Sequence, residues 1–358
     1  MRRNLVAALA LLLLMALAWL AYVRSGRPRA VADVQGEVAG LPVGQSGAVA
    51  WLEADPGCER VRLAGRGRRP RVLWSGSGLM GLALAGGKAF VTKREQGSEG
   101  RLLAVSLNDG QPRALATLKG EAAQVVVGDG LVAWLEERPA ALPGVPFIAA
   151  AAPVTAIRSI SETGGPISLV AAMPLDAPTT QQGARRPLAD LLGIAGRQVY
   201  WLQREGGGPE QSASLRCCAP GSRPQTLAVE TGAQQAVLLQ DAVAWTSFSQ
   251  EAADPRQYLA VKRQPLGGGS AQVIGDWLGP EAELLGSGRR LYAQDKEVLW
   301  HLGKRRGEQR VIYSRPPGTM GTRVIGEDQY LVLRIGKTTT VAKRPLTVWA
   351  RARQLLGD

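Results

Sequence analysis

One short phrase recurs along this chain and limits its fold more than any other feature: a tight polar turn that leads into an apolar strand carrying an aromatic residue. Its clearest copy is Gly128-Asp-Gly-Leu-Val-Ala-Trp134. Earlier copies are Gly44-Gln-Ser-Gly-Ala-Val-Ala-Trp51 and Ala85-Gly-Gly-Lys-Ala-Phe90. Later ones are Ala195-Gly-Arg-Gln-Val-Tyr-Trp201, Gln240-Asp-Ala-Val-Ala-Trp245, Gly286-Ser-Gly-Arg-Arg-Leu-Tyr292 and Gly326-Glu-Asp-Gln-Tyr-Leu-Val332. Trp51, Phe90, Trp134, Trp201, Trp245 and Tyr292 follow one another at intervals of 39, 44, 67, 44 and 47 residues, and Leu331 lies 39 further on. A period of this size signals stacked copies of one supersecondary unit.

Each copy is followed by a second strand pair around a glycine turn that is often closed by proline. Examples are Leu102 to Ala116 with Gly110-Gln-Pro112, Ile157 to Val170 with Gly164-Gly-Pro166, and Leu215 to Ala228 with Gly221-Ser-Arg-Pro224. Val61 to Trp74 carries Arg68-Arg-Pro70, the fifth and sixth copies turn around Gly267 and Gly307, and the stretch Thr338 to Leu355 fits least well. A unit of four short strands cannot bury both faces of its sheet alone, so neighbouring units must stack around an axis. The sequence therefore predicts an all-β chain, a β-propeller of about seven four-stranded blades, although the pattern does not separate seven from six or eight. The aromatics are expected at the middle of each sheet as core residues. Prolines are expected to start outer strands, where a missing amide donor does no harm.

The phrases Val-Tyr-Trp201 and Val-Ala-Trp245-Thr resemble propellers with YWTD-type repeats and the related Tol–Pal-type periplasmic propellers, over roughly residues 38 to 355. The matching residues are packing residues. The resemblance implies a protein-binding module, often exported, and carries no functional residue across. The complete Tyr-Trp-Thr-Asp tetrad is absent, and those relatives usually have six blades.

Before the repeats, Met1-Arg-Arg-Asn4 precedes the uncharged run Leu5 to Val23, which is followed by Arg24, Arg27 and Arg29. Nineteen apolar residues can just cross a bilayer as a helix. Ala16-Leu-Ala18 would serve as a cleavage site, but it lies inside the run, so an uncleaved anchor is favoured over a cleaved, secreted form. The expected organisation is an anchor or signal helix over 1–24, a linker over 25–37 and the propeller over 38–358. The propeller is expected outside the cytoplasm, in a cell envelope or periplasm.

Lys and Arg outnumber Asp and Glu by 43 to 30, a net +13. Such an excess suits anionic surfaces, but without a recognised motif it is no basis for a nucleic-acid partner. Three cysteines, Cys58, Cys217 and Cys218, make no disulfide framework. A single histidine, His301, removes His-based triads and most zinc sites. No Gly-x-Ser-x-Gly elbow, Walker loop or CxxC is present, so no catalytic residue, metal ligand or cofactor is assigned. Inner-strand segments such as Leu82 to Ala85 and Val125 to Val127 read as apolar, which argues against an acid/base centre on the axis.

Function is therefore sought on loops. The connections between second and third strands are long (Lys93 to Gly100, Arg138 to Pro153, Arg204 to Ser212, Ser247 to Arg256) and define an expected binding face. It carries Arg138, Phe147, Arg204, Glu205, Phe248, Glu251 and Asp254. The opposite, short-turn face is basic, with Arg66, Arg68, Arg69, Arg223, Lys304, Arg305 and Arg306 as expected contacts to an anionic surface. The sequence reading is a membrane-anchored or exported binding or scaffolding module for a protein or envelope polymer. The alternative is a propeller hydrolase or lyase with its site on the long-loop face.

Overall fold

In the computed structural model every regular element among the described residues between 27 and 347 is a strand. The residues described are 27–34, 36–45, 47–55, 57–65, 69–95, 99–138, 154–174, 189–205, 212–231, 233–248, 258–296, 298–335 and 338–347, together with Met15. The apolar run Leu5 to Val23 thus lies outside them, apart from Met15. Among the described residues no helix is long and apolar enough to cross a membrane.

The strands form seven separate antiparallel sheets, which settles the blade count at seven. Blade one contains β1's successors β2 (Glu37–Val38), β3 (Val43–Gln45), β4 (Ala48–Asp55), β5 (Cys58–Ala64) and β6 (Arg71–Gly76), where β1 is Arg29–Val34. Blade two is β7 (Leu79–Ala85), β8 (Lys88–Arg94), β9 (Gly100–Ser106) and β10 (Pro112–Leu118). Blade three is β11 (Glu121–Gly128), β12 (Leu131–Arg138), β13 (Val154–Ser161) and β14 (Ser168–Pro174). Blade four is β15 (Ala189–Ala195), β16 (Gln198–Glu205), β17 (Ser212–Cys218) and β18 (Gln225–Thr231). Blade five is β19 (Ala236–Leu238), β20 (Ala242–Phe248), β21 (Leu259–Pro265) and β22 (Gln272–Leu278). Blade six is β23 (Glu283–Ser287), β24 (Arg290–Gln294), β25 (Val298–Leu302) and β26 (Gln309–Ser314). Blade seven takes β27 (Thr319–Ile325), β28 (Asp328–Ile335) and β29 (Thr338–Pro345) from the end of the chain.

The outer strand of blade seven comes from the other end. β1 pairs with β29, from Arg29↔Lys343 to Val34↔Thr339. Arg29–Val34 and Glu37, which the sequence reading placed in a linker over 25–37, are therefore in strands, and the ring is latched by β1. The stretch after Thr338 fitted the repeat poorly because it supplies only the third strand of its blade.

The hub is narrow, and glycine makes it possible. An added Cβ at Gly44 in β3 would lie 2.4 Å from Ile325 of blade seven. At Gly321 in β27 it would lie 2.5 Å from Leu41 of blade one, and at Gly286 in β23 2.8 Å from Leu239 of blade five. Gly81, Gly128 and Gly193 meet the next blade in the same way. These glycines are required for close approach of neighbouring inner strands, not for turn geometry.

The recurrent aromatics do what their position predicts. Trp51, Phe90, Trp134, Trp201, Trp245 and Tyr292 sit in second strands and are at most 2% exposed, as is Leu331. A second repeat, within the strand pair, escapes the period. In blades one and three the tryptophan is followed two residues later by a buried glutamate, Glu53 or Glu136 (each 1% exposed), and faced across the strand pair by arginine. Arg62 Nε donates to Glu53 at 2.6 Å, and Arg158 Nε lies 3.3 Å from Glu136. Trp134 Nε1 also donates to Glu136, at 3.3 Å.

Each outer strand carries a register shift with a single residue inserted: Leu73, Leu115, Val170, Leu227, Ile274, Ile312 and, in β1, Val31; β22 has a second shift against β21, between Leu259 and Val261. Every one of these residues is apolar and packs into a core cluster. Bulges of this kind increase twist and spoil an edge for pairing with another chain.

Candidate functional site

Strand direction separates two faces. Inner strands run from the blade-to-blade connections toward the first hairpin, so β11, β15, β19 and β23 all begin at the long-loop face. At these beginnings a polar arc crosses the channel mouth. Gln124 of blade three accepts from Leu191 N of blade four at 2.8 Å and donates to Asp190 at 3.4 Å. Arg204 Nη2 donates to Asp190 at 2.5 Å and to the Gln234 carbonyl, which leads into blade five, at 2.9 Å. Gln235 in turn accepts from Leu284 N of blade six at 2.7 Å and donates to Ala282 O at 3.1 Å.

The arc ends at Glu283, the first residue of β23, beside blade seven. Burial pushes its carboxyl pKa up, and the charges of Arg323 and Arg315 pull it back. Arg323, on the inner strand β27, is exposed to solvent, although neighbouring protein crowds it. Burial there lowers its pKa, with Glu283 opposing. Among the described residues neither group has an ion-pair partner within contact distance. Met320, on the same inner strand, is 59% exposed. The inner wall is thus less apolar than the sequence suggested. Asp190 is the second residue of β15 and Glu283 the first of β23, each directly before an apolar pair, Leu191-Leu192 and Leu284-Leu285.

The residues expected on this face fall into three groups. Arg204 is a member of the arc. Phe248 is half-buried and packs against the apolar cluster of blade five around Leu259 and Leu278. Arg138 and Glu205 end β12 and β16, but their side chains, like the whole of Phe147, Glu251 and Asp254, lie outside the described residues. Gln124, Asp190, Gln235, Glu283 and Arg323 were missed by sequence reasoning. The only local signal was a polar residue at the head of an apolar run, which is ordinary at any strand start. A shallow depression of about 530 Å³ lined by Ser77, Lys93, Arg94 and Glu95 lies at the same face near blade two.

On the short-turn face Arg69, Arg223 and Arg305 are exposed, while Arg66 and Arg68 lie outside the described residues. Lys304 and Arg306 are partly committed, to Asp241 at 3.4 Å and Asp276 at 2.5 Å. Asp241 also holds Arg263 at 2.8 Å. The turn aspartates of this face differ in what they hold, and only Asp109 serves its own turn as expected for aspartate there. Asp109 accepts from Gln111 N at 3.1 Å, and this hydrogen bond lowers its pKa. Asp129 reaches across to Arg197 N of blade four at 3.4 Å. Asp129 and Arg197 are the only non-glycine residues with positive φ among those described.

Cys217 and Cys218 are buried, and burial raises both thiol pKa values, so their thiolates are scarce. Cys58 is partly buried and bonded to its neighbour's carbonyl at 3.7 Å. His301 packs edge-on against Tyr292, with ring centroids 5.3 Å apart, away from the long-loop mouth. Among the described residues no three His, Cys, Asp or Glu side chains converge in a way that could hold a metal.

No protein-family model and no curated protein matches the chain. Solved structures do. An acylaminoacyl peptidase from Pyrococcus horikoshii aligns over 88% of this chain and 52% of its own, at 10% identity and TM-score 0.61; the chain spans about half the length of that peptidase. The β-propeller domain of the Trilobed protease from Pyrococcus furiosus, described as having an open velcro topology, aligns over 88% of this chain and 97% of its own, at 8% identity and TM-score 0.58. TolB from Acinetobacter baumannii aligns with a TM-score of 0.43 at 10% identity, which is too low to support the Tol–Pal-type resemblance. At these identities the likeness is one of fold. The chain is a seven-bladed β-propeller latched by its first strand.

Proposed function

We propose that this protein is an extracytoplasmic binding propeller, held at a membrane by Leu5 to Val23, whose long-loop face captures a segment of a protein partner. The observation that carries the reading is the polar arc from Gln124 to Glu283, which ends where Glu283 and Arg323, on the neighbouring inner strands β23 and β27, influence each other electrostatically without an ion-pair partner among the described residues. A rigid ring of seven blades holds that arc in place. An extended segment entering the channel would meet both a hydrogen-bonding rim and the Glu283–Arg323 pair. An envelope polymer with charged groups would meet the same chemistry.

The competing reading, a hydrolase or lyase acting on the same face, is supported by the peptidase-associated propellers among the structural neighbours. It has to work without histidine on that face, because the chain's single histidine lies elsewhere.

The test begins with capture from envelope extracts on the full chain and continues with purified candidates. Glu283→Gln and Arg323→Gln should each weaken binding of the purified partner, while Arg223→Gln on the opposite face should not. Binding indifferent to both channel substitutions would refute the assignment. Turnover of a peptide or ester panel by the full chain, abolished by the same substitutions, would favour the hydrolase.

A further inference from the structure

We infer that the short-turn face of the disc lies against the anionic lipid surface in which the N-terminal segment is held, leaving the long-loop face turned away from the membrane. The inference rests on the proposed anchoring by Leu5 to Val23 and adds an orientation that anchoring alone does not supply.

The first observation is where the chain enters the ring. Third strands run from the long-loop face to the short-turn face, and β29 is the third strand of blade seven. β1 is antiparallel to it, with Arg29 opposite Lys343 near the end of β29 and Val34 opposite Thr339 near its start. The polypeptide therefore arrives at β1 from the short-turn side. Only residues 24–28 separate Val23 from Arg29. Even fully extended, such a link spans at most about 20 Å. The long-loop face lies a full strand length further on, roughly 20 Å for strands of this size.

The second observation is charge. Arg69, Arg113, Arg197, Arg223, Arg289 and Arg305 are exposed on or beside short turns, and their side chains have no ion-pair partner among the described residues. They are distributed over blades one, two, four and six, on both sides of the tether. The carboxylates of this face are largely engaged: Asp241 with Arg263 and Lys304, Glu327 with Arg290, and Glu308 with the backbone of its own turn. At the long-loop end the charges are closer to balance: Glu37, Glu99 and Glu137 are exposed without an ion-pair partner among the described residues, and so are Lys119 and Arg334. A tether at the rim of blade seven would by itself permit the disc to stand on edge. Basic groups as far round as blade four draw it face-down.

The test uses the full chain reconstituted into vesicles of phosphatidylcholine alone or with phosphatidylglycerol. Ser222→Cys reports on the short-turn face and Glu99→Cys on the long-loop face, each in a Cys58→Ser background with a donor dye, against an acceptor in the lipid headgroups. The expected result is stronger transfer from the Ser222 position, increased by phosphatidylglycerol and reversed at about 1 M salt, where the Debye length is about 3 Å. Replacing Arg223 and Arg305 by Glu should weaken the phosphatidylglycerol-dependent component at least fivefold per position, because each basic residue contributes roughly that factor near an anionic surface. Circular dichroism identical to that of the parent confirms that the variants fold. Stronger transfer from the Glu99 position, or no response to phosphatidylglycerol, overturns the orientation while leaving anchoring intact. Failure of the full chain to float with either vesicle overturns both.

Discussion

Replacing Glu53 by Ala should be among the most damaging single changes in the molecule, although the residue touches no proposed ligand. Its side chain is 1% exposed, and Arg62, 21% exposed, donates to it at 2.6 Å directly opposite Trp51. Removing the carboxylate leaves a guanidinium between sheets with no counter-charge and little water. Breaking a buried pair in this way costs about 3–5 kcal/mol; the residual exposure of Arg62 places the expectation near the lower end, about 3 kcal/mol. Replacing both members together, Glu53→Met with Arg62→Leu, removes the stranded charge and should be neutral within about 1 kcal/mol. The assay is urea denaturation of the four members of the cycle, followed by tryptophan fluorescence and far-UV circular dichroism with m-values compared throughout. A coupling energy of about 2 kcal/mol or more is expected. If Glu53→Ala costs less than about 1 kcal/mol, or the double variant loses the sum of the singles, the buried pair is not what it is argued to be.

Three further outcomes follow from the same structure. Trp134→Ala should lose about 3–5 kcal/mol, because the indole is fully buried between blades, yet the folded fraction should bind partner at the long-loop face with unchanged affinity; a stable variant that lost only binding would contradict the packing role. Gly81→Ala should cost about 1–3 kcal/mol in a thermal melt, since its Cβ would lie 2.7 Å from Thr92 Oγ1 and 3.0 Å from the Ala123 carbonyl. Thr92 cannot give way, being bonded to Gly81 N and Ala122 O. A cost as small as that of an exposed-turn substitution would refute it. Glu283 is raised above the ordinary glutamate value of 4.5 by burial. The fold therefore favours its neutral form, and this contribution is fully present below 4.5 and lost as pH rises through the folded-state value. Glu283→Gln should flatten the stability profile over that window and leave the protein no less stable at neutral pH; an unchanged profile would show that the group is not buried as described.

Much of the architecture can be read directly from the chain. The large apolar residue of each second strand, aromatic in six blades and Leu331 in the seventh, recurs because every blade needs one wedge at the same depth, and a local requirement repeated seven times leaves a visible period. Prolines at or just before β6, β10, β14 and β18 are legible for the same reason: an outer edge asks for no amide donor there. The arginines of the short turns can be recognised as turn residues, but their membership of one face follows only once strand directions are known.

What the tertiary structure alone decided is everything that depends on distant partners. β1 looked like linker because its partner, β29, lies at the other end of the chain, and no local pattern records a strand whose ladder is completed only when a ring closes. The Glu53–Arg62 and Glu136–Arg158 pairs have unremarkable spacing; only burial between adjacent sheets turns them into structural elements. Gln124, Asp190, Gln235 and Glu283 lie in separate blades and become one arc because neighbouring inner strands converge on the axis. Composition and period determine the unit and how it must stack. Which residues meet at the hub, and which face carries which charge, is set by the geometry of closure.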